Sequence, residues 1–168
     1  MIRYLSLASC FALLSCTGYQ LQSDRPHALA QVKSINVPLF ANKTLIPRGE
    51  TLATNSVIDA IANDGTYRIV SDHKADAILR GTIESVNYRQ VRSTRLDTLR
   101  SQDMENIFII SWQLCDANNP LKILAQGKAR GASRFAIDSN LQTARTNAMP
   151  DAMQRAATQI VGRLTDDF

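Results

Sequence analysis

Three successive segments of this chain alternate apolar and polar residues over stretches that only extended backbone can sort into two faces. From Ala75 to about Val91, Ala77, Leu79, Gly81 and Ile83 fall on one face, and Arg80, Thr82 and Glu84 fall on the other. From Met104 to Cys115, Phe108, Ile110, Trp112 and Leu114 share a face, which assigns Trp112 to the core. From Leu121 to about Phe135, Leu121, Ile123, Ala125, Gly127 and Ala129 oppose Lys122, Gln126, Lys128 and Arg130. Asn118-Asn119-Pro120 is a tight connection between the last two, whereas Arg92 to Asp103 is a longer polar loop. Long alternating strands in succession predict an antiparallel meander with one covered face.

Two helical segments are available to cover it. Ala53, Val57, Ala60 and Ile61 recur at helical spacing over 50–63, and Asp64-Gly65 ends that helix with a residue suited to a left-handed cap. Ala152, Ala156, Ile160, Val161 and Leu164 define a second helix over 150–165. Pro150 fits either its first turn or a kink in a longer helix from near Asn140. Ile35, Val37 and Leu39 predict a strand over 34–40, with Pro38 placing it at an edge or a ladder's end, and 67–70 reads as a short strand. The expected fold is α+β: a two-layer α/β sandwich, its sheet mainly antiparallel with four long strands and one short, covered by two helices. A length of 168 residues suits one domain, and 45% hydrophobic with 20% charged residues argues against disorder.

The beginning of the chain reads differently. Arg3 supplies a positive start, and Tyr4 to Leu14 is an uncharged apolar run of roughly 11 residues, suited to a secretory signal and too short to span a bilayer. Leu13-Leu14-Ser15-Cys16 resembles a lipobox, so residues 1–15 are expected to be removed and Cys16 acylated, palmitate included. Leu7-Ala8-Ser9-Cys10 matches the pattern but leaves too little apolar run before it. Residues 16–31 form a polar tether, and 32–168 the domain. Thr17, where an aspartate would favour inner-membrane retention, points to the outer membrane. With Cys10 removed and Cys16 lipidated, Cys115 has no partner for an internal disulfide and is expected to be a small buried hydrophobe.

The chemistry-bearing inventory is thin. The two histidines, His27 and His73, fall in the tether and in a polar turn, without ligand spacing. Asp64, Asp72 and Asp76 belong to turns, which collect aspartate for its backbone hydrogen bonds. No phosphate-binding or nucleophile-elbow motif occurs, so the residues indicate no enzyme, catalytic site, metal or cofactor. A net charge of +4 is too weak to indicate nucleic acid and suits an anionic lipid or membrane surface. The positive feature is a set of basic residues on and around the long strands. Lys128 and Arg130 project together, Arg134 joins them if the alternation continues, and Arg89 and Arg92 (with Arg95 and Arg100) lie near the first loop. Guanidinium forks match phosphate geometry. The plainer alternative is a solvated sheet face.

Several of these residues also carry a family likeness. Cys16-Thr17-Gly18-Tyr19-Gln20-Leu21 resembles the lipidated start of the lipopolysaccharide-assembly lipoproteins, the LptE family. Ile35 to Thr44, with Phe40-Ala41-Asn42-Lys43-Thr44 at its end, is similar to that family's first strand and turn. Tyr67-Arg68-Ile69-Val70 and Ala75 to Ile83 resemble its middle block. The resemblance implies an outer-membrane lipoprotein, held in the inner leaflet by its acyl chains and facing the periplasm or lying inside a barrel. It would bind an LptD-like β-barrel, help that translocon assemble, and take part in delivering lipopolysaccharide to the cell surface. The basic residues beyond Ile83 match no family motif, and their ligand role rests on strand geometry alone. A reading of another class also fits: a lipoprotein that scaffolds or regulates peptidoglycan synthesis or secretion machinery through protein contacts alone.

Overall fold

A computed structural model describes residues 29–92, 102–137 and 140–165. In chain order they form β1 (Ser34–Asn36), β2 (Ala41–Asn42), α1 (Gly49–Asp64), β3 (Arg68–Ile69), a 3-10 turn (Asp72–Lys74), β4 (Ala77–Arg92), β5 (Gln102–Asp116), β6 (Ile123–Ile137) and α2 (Leu141–Thr165). The six strands make one sheet in the order β3-β1-β4-β5-β6, with β2 also paired to β4. The expected α+β sandwich is present, but its sheet is mixed. β1 runs parallel to β3 and β4, and β2 runs parallel to β4, while β4-β5-β6 is the antiparallel meander. The physical reason lies in α1: a helix between two strands returns the chain to the end it left, so β1 and β3 must run the same way.

The long strands number three, not four. β1 stops at Asn36 because Pro38 cannot donate to a ladder, and the chain rejoins the sheet only as the two-residue β2. The Phe40-x-Asn42-x-Thr44 segment is a structural staple. Phe40 lies flat over Gly81, where any side chain would collide with its ring. Asn42 Oδ1 accepts from Thr44 N and Thr44 Oγ1 at 2.9 and 2.7 Å, and Asn42 Nδ2 donates to Ile46 O and Glu50 Oε2, each at 2.9 Å. Arg48 then starts α1 from a left-handed conformation at φ 59°, and Gly65 at φ 76° ends it as expected.

On the covered face, Leu79, Ile83, Phe108, Ile110, Leu114 and Ala129 meet Val57 and Ile61 of α1 and Met153, Ala156, Ile160 and Leu164 of α2. Trp112 is buried with them. Cys115 is buried and free. Leu121 departs from the expected pattern: it precedes β6 and is 93% exposed, while Ile123 is half-exposed across the register shift beside Cys115. α2 takes the longer of its two expected forms. Asn140 caps it through Oδ1, which accepts from Thr143 N at 3.1 Å, and Pro150 lies inside it. The turn before Pro150 packs on polar groups: Asn106 Nδ2 donates to Arg145 O at 3.1 Å, Ser133 Oγ donates to Ala148 O, and the Arg145 guanidinium stands 4.2 Å from the Tyr88 ring centre. At the free edge of the sheet, Gln159 of α2 accepts from Arg130 N at 2.6 Å.

Candidate functional site

With both helices on one face, no described residue outside the sheet forms a layer over the opposite face of the meander. Its composition follows from register. β5 pairs with β6 without a shift from Gln102↔Ile137 to Leu114↔Ala125, so Gln126, Lys128, Arg130, Ala132 and Arg134 all project outward, as the alternation required. Lys128 stands opposite Ser111, Arg130 opposite Ile109, and Arg134 opposite Glu105. On the other side of β5, Arg89 stands opposite the same Glu105. A bulge between Ile83 and Ser85 moves β4 by one residue, and this puts Arg89 on the outer face.

The arginines therefore converge on a carboxylate. Glu105 Oε2 accepts from Arg89 Nη2 at 2.8 Å and lies 3.5 Å from Arg130 Nη2, and Glu105 Oε1 lies 3.8 Å from Arg134 Nε. The Glu105 side chain is only 9% exposed, against 50–70% for its three partners. One negative charge is thus shared among three cations, and the cluster keeps an excess of positive charge facing solvent. Half-buried Ile107, Ile109 and Ala132 lie beside it. Lys128 makes no ion pair among the described residues. It adjoins a shallow groove lined by Arg80, Thr82, Ser111, Gln113 and Gln126. Nearby, Glu84 accepts from Lys43 Nζ and Ser111 Oγ, each at 2.7 Å. These two bonds, Lys43's first, hold the Glu84 carboxyl below the usual range, with the charges of Lys43 and Lys128 adding to them.

Arg92 ends β4 opposite Asp103. Cys16, His27, Arg95 and Arg100 lie outside the described residues. His73 is in the exposed 3-10 turn, and no cluster of metal-ligating side chains occurs among the described residues. Asp76 serves the backbone: its Oδ2 accepts from Ser34 Oγ, Ser34 N and Lys33 N at 2.8, 2.9 and 3.0 Å. The residue that sequence reasoning missed is Glu105. Its outward parity on β5 was available, but its partners are set by cross-strand register.

The same α/β sandwich occurs among solved structures. The minor lipoprotein of Acinetobacter baumannii matches with TM-score 0.54 and 13% identity over 79% of this chain and 92% of that one. PelC of Paraburkholderia phytofirmans, solved as a dodecamer, matches with TM-score 0.51 and 15% identity over 81% and 89%. A neuraminyllactose-binding hemagglutinin homolog of Helicobacter pylori matches with TM-score 0.54 and 12% identity over 87% and 89%. At these identities the likeness establishes the fold. No curated protein matches the chain. The family is settled by sequence: the chain belongs to the LptE lipopolysaccharide-assembly family, whose model matches residues 32–164. That family consists of non-catalytic, envelope-associated lipoproteins. No helix among the described residues is long and apolar enough to cross a membrane.

Proposed function

We propose that this protein is anchored in the outer membrane through Cys16, binds an LptD-like β-barrel to assist assembly of the lipopolysaccharide translocon, and contacts the glycolipid during its delivery. Residues 1–15 act as the signal, 16–31 as the tether and 32–168 as the working domain. The observation that carries the glycolipid contact is the convergence of Arg89, Arg130 and Arg134, with Lys128 beyond them, beside half-buried Ile107 and Ile109. Such a surface pairs phosphate-binding forks with an apolar floor, the two chemistries that a phosphorylated glycolipid presents. We include Arg92, at the end of β4, in the same ligand reading on sequence grounds. Family membership supports the barrel as partner.

The test is a pull-down of the tagged full chain from outer membranes, alongside a Cys16→Ala variant labelled with palmitate. Recovery of a large barrel protein, with label lost in the variant, is the expected result. Recovery of a peptidoglycan synthase or secretion component would replace the barrel reading. Label retained in the variant, or entering through Cys10, would refute the anchor.

A further inference from the structure

The exposed large apolar side chains are Leu45 at 100%, Leu121 at 93%, Leu39 at 64%, Ile123 at 47%, Tyr88 and Val91 among the described residues, and only Leu121 and Ile123 fall within one turn. They sit at the turn joining β5 to β6, with Lys122 between them. This turn is closed by hydrogen bonds. Lys122 N donates to Asn119 O at 2.9 Å, Leu121 N to Asn119 Oδ1 at 3.3 Å, and Asp116 N to Lys122 O at 3.0 Å. Leu121 is therefore held outward by a formed turn, and docking it against an apolar medium costs little ordering entropy.

Its place in the fold matters more than its exposure. The first described residue, Leu29, is already buried in the core, and the chain reaches β1 through Lys33, whose amide donates to Asp76 Oδ2 at 3.0 Å, while Asp76 O accepts from Ala117 N at 3.0 Å. The hairpin turn is thus tied, through one residue, to the point where the N-terminal segment arrives. His73 and Pro120 line one groove between the 3-10 turn and the hairpin, so both belong to this end. Lys33, Arg68, Lys74 and Lys122 are all exposed there.

We propose that the β5–β6 turn, led by Leu121 and Ile123, is a lipid-surface contact that orients the anchored domain on the membrane. This rests on the lipid anchor at Cys16 in the reading above. Residues 17–28 lie between Cys16 and the first described residue, and fully extended they reach on the order of 40 Å. A leash of that reach holds the domain near the bilayer without fixing which end faces it. A second contact fixes it, and the end where the leash arrives presents exposed Leu121 and Ile123 beside Lys122, itself paired with Asp116 at 3.4 Å, with Lys33, Arg68 and Lys74 exposed at the same end. That is the composition of an interfacial anchor on anionic phospholipid.

The experiment uses the lipidated full mature chain on vesicles of phosphatidylethanolamine and phosphatidylglycerol. An environment-sensitive fluorophore is attached at Leu121→Cys or, as a control, at Leu45→Cys, a fully exposed position between β2 and α1. Both positions are exposed, so neither substitution threatens the fold, and the native Cys115 is buried. The expected result is a several-fold rise and blue shift in emission at 121, quenched by lipid-borne quenchers, with the probe at 45 unchanged. Flotation with the vesicles while the 121 probe stays water-like overturns the orientation contact and leaves the anchor standing. Failure to float overturns both. A shift at 121 that requires added barrel protein overturns the lipid contact in favour of a protein one.

Discussion

Gly131 of β6 lies directly beneath the backbone of Ala152 of α2: a methyl group at 131 would overlap the Ala152 carbonyl oxygen and stand 2.9 Å from the Ala156 Cβ. The helix touches the strand there because neither residue carries more than a methyl. Gly131→Ala should destabilise the domain by about 1–3 kcal/mol, the usual cost of overpacking. Urea unfolding checks this, and an unchanged midpoint would show that α2 lies farther from the sheet.

Ile110 and Ile160 are fully buried on opposite layers of the same core. Truncating either to Ala should cost about 2–5 kcal/mol through lost burial and the cavity left behind. If both variants unfold at the parental denaturant concentration, the inward register of β5 or the buried face of α2 is wrong.

The outer face yields a prediction with opposite signs. Lys128→Ala with Arg130→Ala should weaken binding of an anionic glycolipid at low salt by roughly tenfold or more, since a charge-assisted bond to phosphate is worth about 1.5–3 kcal/mol before screening. Glu105→Gln should strengthen it, because the carboxylate competes with phosphate for Arg89, Arg130 and Arg134. Gln126→Ala, on the same strand face, controls for disturbance of the sheet. Equal affinities across the set would reduce the strip to a solvated face.

Asp76 contributes to the acid limb of stability. Hydrogen bonds from the Ser34 hydroxyl first, and then from the Lys33 amide, hold its carboxyl below the ordinary aspartate value. A pKa lowered by folding means that the ionised form stabilises the fold fully above that ordinary value, and that the contribution fades as pH falls through the folded one. Asp76→Asn should therefore be least stable relative to the parent at neutral pH, with the gap closing below about pH 4. A gap that stays constant with pH would show that geometry, not charge, is what Asp76 supplies.

The meander was legible because a period of two leaves one solution for Leu79, Phe108 and Ala129. The same logic placed Lys128, Arg130 and Arg134 on a common outer face. Helix ends with chemical markers, such as Gly65, were also readable. What escaped depends on partners distant in sequence. β2 is two residues long and exists because Phe40 needs Gly81 beneath it. The first turns of α2 rest on Asn106 and Ser133, so they show little apolar periodicity and left Pro150 ambiguous. Glu105 carries no mark in the sequence, because only the cross-strand register places it between Arg89 and Arg134. The parallel pairing of β1 was available from the helix that follows it.

The bond from Arg130 N to Gln159 bears on how β6 meets other molecules. A long border strand offers a row of amides on which a foreign strand can zip, the usual route to fibrous or swapped assemblies. Here a helix side chain already occupies the middle of that row, so an added strand would first have to displace Gln159 from its place. Molecules that approach β6 at this point are met by protruding cationic tips while the Arg130 amide stays engaged, which favours reversible traffic over permanent polymer growth.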